Sequence, residues 1–394
     1  MNTACTVVGI GVVGIALGLA PLGPTPAETA KVAKTIVNKS ANIRPNELVL
    51  INGGPRDQQL LEDIAVEVRK LGAHPLITFE SDRLMRRLVV DVPERFDTQE
   101  AAFAMQLAEI VDAMLTVEVG EDPMLLADVD PQRLMRRAKA DQAVYKRMLE
   151  RNVIQTHLGN GLYPTTARAK QFGISKDKLA EIFWDGVNAD SKKLQATGER
   201  VKRTLSSGRR VRITAPNGTD LKLDIARRPV FVSDGVISNE DRYAGGPACQ
   251  VWLPAGEVYV TPVPATAQGT FVVDTFFYQG KLIEGLKLVF AKGKLTSMTA
   301  KGDIGPLKKA YDAAPPGREI FAALDIGINP EVKAPAGSRM VTWMAAGTIS
   351  VGIGGNTWAG GDNEAPFNLY AHLTDGTLQI DGRTLIEQGE LRSK

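Results

Sequence analysis

The sequence predicts two domains of different class: an α/β N-terminal domain, built as a parallel sheet with helices, and a β-rich α+β C-terminal domain. Two observations carry this prediction. Between Glu28 and about Asn152, short apolar runs alternate with longer segments of helical spacing, and strand, helix, strand in that order implies parallel pairing with right-handed crossovers. After Ser206-Ser-Gly208 the pattern changes to apolar/polar alternation punctuated by turn signals, of which Asn217-Gly218 is the clearest. A chain of 394 residues is long enough for two cores. The expected division is a leader-like apolar segment at 1–27, an α/β domain with a helical connector at 28–206, and a β-rich domain at 207–394.

The leader comes first. It is apolar from Val7 to Leu22 and then broken by Pro21, Pro24 and Pro26. Gly9-Ile-Gly11-Val-Val-Gly14 has the form of a dinucleotide fingerprint, but no strand precedes it and Pro21 soon stops the helix it would open. The segment ends in Thr25-Pro26-Ala27, with small residues at the last and third-last positions, which fits a secretory signal removed near Ala27. Met1–Thr6 carries no Lys or Arg, and the apolar run is short for a spanning helix. The expectation is an exported protein (periplasmic or secreted) if Met1–Ala27 is cleaved, a cytoplasmic one otherwise, and no integral membrane domain after removal.

Glu47–Ile51 reads as the first strand, closed by Asn52-Gly53-Gly54-Pro55. Gln58–Leu71 follows with Leu60, Leu61, Ile64, Ala65 and Val68 at helical spacing, and Gly72 ends it. His74–Phe79, Ala113–Val119 and Val153–Thr156 supply three more strands. The turn at 52–57 has the glycines of a phosphate cradle but neither the Lys-Ser/Thr pair of a P-loop nor the Rossmann spacing, so it reads as a tight strand-to-helix turn. Ala169–Leu205 is the helical connector. Beyond it, Arg210–Thr214 and Asp220–Ile225 form a hairpin, strands follow at Thr270–Phe277, Leu286–Ala291 and Lys294–Thr299, and one helix, Pro306–Ala314, interrupts them.

Charge and composition exclude some chemistry. Lys plus Arg number 47 against 45 Asp plus Glu, and no basic run or aromatic-studded basic strand occurs, so nucleic acid is not an expected partner. Cys5 and Cys249 cannot make a disulfide framework or a cysteine zinc site, and Cys249 reads as a small buried residue. The only histidines are His74, His157 and His372. The first two are isolated and read as structural. Ser350, His372 and Asp375 can be drawn as a Ser-His-Asp set, but no Gly-x-Ser-x-Gly elbow surrounds Ser350. The glycine-dense stretch Gly347–Gly361 reads as close strand packing or as a wall that allows backbone approach in the cleft.

One carboxylate stands out. Glu257 directly follows the Pro254-Ala-Gly256 turn and opens a β-prone run, a setting in which a stiff backbone aims a side chain. A solvated Glu at a loop-to-strand junction is the plainer alternative.

Around it lies an ordered set of motifs: Asn217-Gly-Thr-Asp-Leu221; Leu253-Pro-Ala-Gly-Glu-Val-Tyr259 with Pro262 and Gly269; Asp325-Ile-Gly-Ile-Asn-Pro330; Gly347-Thr-Ile-Ser350 with Gly360-Gly361; and Asp381-Gly382. Together with Ala33–Val37 and Pro45–Leu50, this order resembles the thermophilic metallo-aminopeptidase family typified by aminopeptidases T and S, from about Glu28 to the C-terminus. The resemblance implies a two-domain fold, a homodimer, and a pair of divalent metals (Zn, Co, Mn or Mg) that bind a peptide's α-amine in an inter-domain cleft and activate water.

Carried over position by position, the ligand set is incomplete. Glu257 falls on the family's first glutamate ligand. Ala323 stands at the second, with Asp325 the nearest carboxylate, and Ser350 stands where a histidine is expected. The His-x-Asp pair falls on Phe367-Asn-Leu369, or with a gap on His372 and Asp375. The expected tyrosine is Thr357 or Trp358. What remains is a metal set of Glu257, Asp325 and His372, with Asp362 as a further candidate, oxygen-rich and suited to a hard cation. Three readings follow: a metal-dependent exopeptidase releasing N-terminal residues; a non-catalytic protein that keeps the scaffold and uses the cleft, for a peptide or other small molecule, or its dimer surface for binding, with a divalent metal or none; and a ring-cleaving dioxygenase, whose iron needs histidines at the lost positions.

Overall fold

A computed structural model describes residues 26–392, so the expected leader lies outside the described residues apart from Pro26 and Ala27. Helix α1 (Pro26–Thr35) runs into a π turn, Ile36–Ser40, that buries Ile36 and Val37. Strand β1 (Leu48–Gly53) is apolar over Leu48–Ile51 and buried along most of its length, as a strand covered on both faces must be. A short 3-10 turn leads into α2 (Gln58–Lys70), whose Leu60, Leu61, Ile64 and Val68 form its buried stripe. Strand β2 (His74–Phe79) lies parallel to β1, with Leu48 opposite His74 and Gly53 opposite Phe79.

Helices α3 (Asp82–Val90) and α4 (Ala102–Ile110) precede β3 (Ala113–Val117), and α5 (Pro131–Glu150) precedes β4 (Ile154–Leu158). Helix α5 buries only Met148. Charge anchors it instead: Arg133, Arg136 and Arg137 all reach Asp97, whose side chain is fully enclosed. The expected connector is three helices, α6 (Thr166–Phe172), α7 (Lys176–Val187) and α8 (Ser191–Ser207), each opened by a side-chain cap from Thr165, Ser175 or Asp190.

The remainder is mostly strand: β5 (Arg210–Thr214), β6 (Asp220–Asp224), β7 (Val230–Ser233), then α9 (Asn239–Ala244), β8 (Gln250–Leu253), β9 (Glu257–Val260), β10 (Gln268–Tyr278), β11 (Lys281–Ala291) and β12 (Lys294–Thr299). Helix α10 (Gly305–Ala313) separates these from β13 (Phe321–Gly327), β14 (Ile349–Gly354), β15 (Asn368–Leu373), β16 (Thr377–Ile380), β17 (Arg383–Glu387) and β18 (Glu390–Leu391). The expected fold class is the observed one, a parallel α/β sheet followed by antiparallel sheets.

Three sheets result, in the orders β2-β1-β3-β4-β8, β12-β11-β10-β6-β5-β16-β17-β18 and β15-β14-β13-β9-β7. The first is parallel throughout, and its fifth strand, β8, comes from beyond the 206/207 division. Residues 254–256 then carry the chain out of the parallel sheet and into the third sheet as β9. Glu257, the first residue of β9, therefore sits at the handover between two sheets. Among the described residues, no helix is long and apolar enough to cross a membrane.

Candidate ligand site between the sheets

The turn that aims Glu257 has its backbone groups tied down. Gly256 donates to Ser233 O and accepts from Ile328 N, and Asn329 Nδ2 donates to Ala255 O at 2.6 Å. Gly256 adopts φ +131°, and a Cβ there would meet Asn329 Cβ at 2.6 Å, so only glycine closes this turn. From it, Glu257 pairs with Ser233 on β7 and Gly327 on β13.

The carboxyl of Glu257 is 4 % exposed and accepts from Asn160 Nδ2 at 2.5 Å. Asn160 lies in the Gly159-Asn-Gly161 loop after β4; it also donates to Pro254 O and accepts from Trp343 Nε1 at 2.9 Å. Its amide orientation is thereby fixed from three sides. Gly161, at φ +67°, lets the Trp343 ring pass where a Cβ would lie 2.4 Å from the indole.

Across the third sheet, Phe231, Tyr259, Asp325, Ser350 and His372 form one row of cross-strand partners, and paired residues share a face. Asp325 is 5 % exposed and its Oδ1 has no hydrogen-bond partner. Ser350 Oγ lies 2.8 Å from His372 Nδ1 and is 0 % exposed. Along β15, Asn368, Tyr370 and His372 alternate onto the same side.

These elements enclose a cavity of about 300 Å³. Its polar lining includes Asn160, Glu257, Asp325 and His372, and its walls are Trp252, Trp343, Trp358 and Tyr370. The rings pack in two groups: Trp252 meets Trp358 edge-on at 5.7 Å and Trp358 lies 5.8 Å from Tyr370, while Trp343 lies 5.2 Å from His372. Two further cavities, of about 390 and 600 Å³, adjoin it and share Asn368 with it. No Lys or Arg lines the central cavity.

The electrostatics follow from that lining. Burial pushes the Glu257 carboxyl up to about 7, only partly offset by the N–H groups of Asn160 and Trp343. Burial, reinforced by the Glu257 charge, pushes Asp325 well above the usual carboxylate range. Burial also pushes the His372 imidazole down to about 4, so the ring is neutral near pH 7.

Glu257, Asp325 and His372, the expected metal set, thus border one cavity. Asp362 and Asp375 are exposed and do not line it. Ser350 is enclosed beneath His372 and does not line the cavity, and Asp375 makes no triad with them. Ala323 packs with Tyr259 and Ala359, and Phe367 packs edge-on against Tyr311. His74 is exposed and contacts Arg69, whereas His157 is half-buried in β4 beside Trp252, its register partner on β8. Among the described residues, no three His, Cys, Asp or Glu side chains stand close enough to share an ion. The donors as arranged do not fit a divalent metal.

Asn160, Trp252, Trp343 and Tyr370 were not singled out as site residues by the sequence. The available signal was the tryptophans: of four in the chain, three line this cavity.

Comparison with known proteins agrees with this architecture. The thermophilic metalloprotease (M29) family profile matches residues 26–314, a stretch that includes Glu257 and ends before β13, β14 and β15. Aminopeptidase PepS of Streptococcus thermophilus is 26 % identical over 294 residues, 68 % of this chain and 69 % of that protein. Among solved structures, wild-type AmpT from Thermus thermophilus superposes with a TM-score of 0.71 at 19 % identity, covering 92 % of this chain and 98 % of that one. The 2,5-dihydroxypyridine dioxygenase from Pseudomonas putida KT2440 superposes at 0.61 and 13 % identity, covering 94 % and 99 %. At these identities the two structures establish a shared fold. The family match, which spans most of the chain, establishes more: this protein belongs to the thermophilic metalloprotease family M29.

Proposed function

We propose that this chain binds a peptide or other small molecule in the central cavity without the paired-metal chemistry that its family resemblance implies. The observation that carries this reading is the makeup of the cavity wall. Two enclosed carboxyls face it among four aromatic side chains, and the positions where further ligands are expected hold Ala323, Ser350, Phe367 and Leu369. A two-metal site needs several anionic or imidazole donors at bonding distance. Methyl, phenyl and isobutyl groups offer no lone pair, and the Ser350 hydroxyl is enclosed and engaged with His372.

A second reading is favoured by one specific observation. Glu257, Asp325 and His372 converge on one cavity in a member of a metalloprotease family, as a metal-dependent exopeptidase that releases N-terminal residues would require. Hydrolysis of aminoacyl substrates separates the two. Wild type and Glu257→Ala are assayed with Co²⁺, Zn²⁺ and Mn²⁺ added in turn. The binding reading predicts no metal-dependent hydrolysis by either protein. Hydrolysis by wild type that Glu257→Ala abolishes replaces it with the exopeptidase.

A further inference from the structure

The cavity's chemistry is specific enough to name a ligand class. Asp325 lines the cavity, and its enclosed Oδ1 accepts no hydrogen bond. Glu257 accepts from a neutral amide, and the lining contains neither lysine nor arginine. Two carboxyls gathered at one cavity without a counter-charge can both ionise there only when a cation and its N–H donors come from outside the chain. What completes such a site supplies both.

A hydrated inorganic cation suits these walls poorly. Three indoles offer π faces and apolar surface but no lone-pair ligand, Tyr370 adds only a neutral phenol, and among the described residues no three acid or imidazole donors come within reach of one ion. Aromatic faces do attract organic cations, most strongly where water is excluded. An ammonium group carries three donors for the carboxyls, and a hydrocarbon stem fills the space among the rings. The same lining rejects a second, negative group. A ligand carboxylate would have no cation to meet and would lie beside Glu257 and Asp325. Arg168, which lines one adjoining cavity, is already paired with Glu118 at 2.8 Å.

We infer that the cavity is a site for a monocationic primary amine, an alkyl- or arylalkylammonium ion, held by Glu257 and Asp325 with its stem against Trp252, Trp343, Trp358 and Tyr370. This rests on the binding reading above and sharpens it. A cavity of about 300 Å³ is at the small end for a ligand site, which matches one ring or a short alkyl chain.

Three of the four tryptophans report directly on occupancy, so tryptophan fluorescence of the wild-type chain, titrated with phenethylamine, is the test. Two controls are its neutral isostere 2-phenylethanol and the zwitterion phenylalanine. Phenethylamine is expected to bind saturably, and both controls at least about tenfold more weakly, the factor that a charge-assisted hydrogen bond contributes. Asp325→Asn and Glu257→Gln, each checked for native thermal unfolding, are expected to lose that preference. Equal binding of phenethylamine and 2-phenylethanol by wild type overturns the inference without any variant. So does Asp325→Asn binding the amine as wild type does. If 2-phenylethanol binds and no metal-dependent hydrolysis is found, the binding reading stands and only the amine assignment fails. If added Zn²⁺ or Co²⁺ displaces the amine and supports aminoacyl hydrolysis, both fail together.

Discussion

Two regions of this protein enclose carboxyl groups and treat them in opposite ways. In the N-terminal sheet domain, Asp97 accepts from Arg133 Nε and Nη2 at 2.9 Å each and from Arg136 Nη2 at 3.1 Å, with Arg137 at 3.6 Å. These hydrogen bonds hold its carboxyl down at about 2. In the cavity between the sheets, Glu257 and Asp325 are as thoroughly enclosed and meet no cation, and both are pushed up. The difference separates structure from site. Asp97 has its counter-charge inside the chain and fastens α5 to the loop at Asp97. The cavity pair has none, and an enclosed carboxyl that the fold leaves unpaired is the mark of a group kept for something outside the chain.

Asp97→Asn leaves guanidinium groups without their shared anion and is expected to destabilise the protein by about 2 kcal/mol, the scale of hydrogen bonds to a charged group where two of the partners are part-exposed. Chemical denaturation checks this, and a change below about 0.5 kcal/mol, the scale of an ordinary surface substitution, would erase the distinction.

The pH dependence of the two regions should run in opposite directions. The Asp97 carboxyl is depressed when folded, so its contribution is present above the ordinary carboxylate value near 4 and lost as pH falls through about 2. Glu257 is raised, so the protein loses stability as pH climbs from the ordinary value through about 7. Glu257→Gln should therefore gain on wild type between pH 5 and pH 8, on the order of 1 kcal/mol. Paired melts at the two pH values read this directly, and parallel curves contradict it.

Smaller effects sharpen the cavity side. At Gly352 a Cβ would lie 2.2 Å from Tyr370 Cε1, so Gly352→Ala should push that ring into the cavity, cost about 1 kcal/mol of stability and weaken phenethylamine binding. Unchanged binding in the tryptophan titration would remove Tyr370 from the wall. Smallest is Ser350→Ala, which leaves His372 Nδ1 without its partner and should cost about 1 kcal/mol or less. Amine affinity should stay within about twofold of wild type, because Ser350 is enclosed and is not a nucleophile.

Much of the fold was legible because local pattern and tertiary role agree. β1 and β2 read as apolar runs, α2 as a stripe of spacing 3 and 4, and the β5–β6 hairpin from Asn217-Gly218. Helix α5 was not legible because it buries one large side chain and is held by ion pairs with Asp97 and Glu109, partners distant in sequence. The site was half legible. Glu257 was found because its turn is local, and Asp325 and His372 because ordered motifs flank them. Asn160, Trp252, Trp343 and Tyr370 were not, since each comes from a different segment and only the handover from β8 to β9 brings them together.

The central claim is that Glu257 and Asp325 face a ligand rather than a pair of metal ions. Its most direct test is the metal content of wild type and Glu257→Ala after equilibrium dialysis against Zn²⁺, Co²⁺ and Mn²⁺. The expected result is the same substoichiometric content in both proteins. One or two equivalents in wild type, lost in Glu257→Ala, would contradict it.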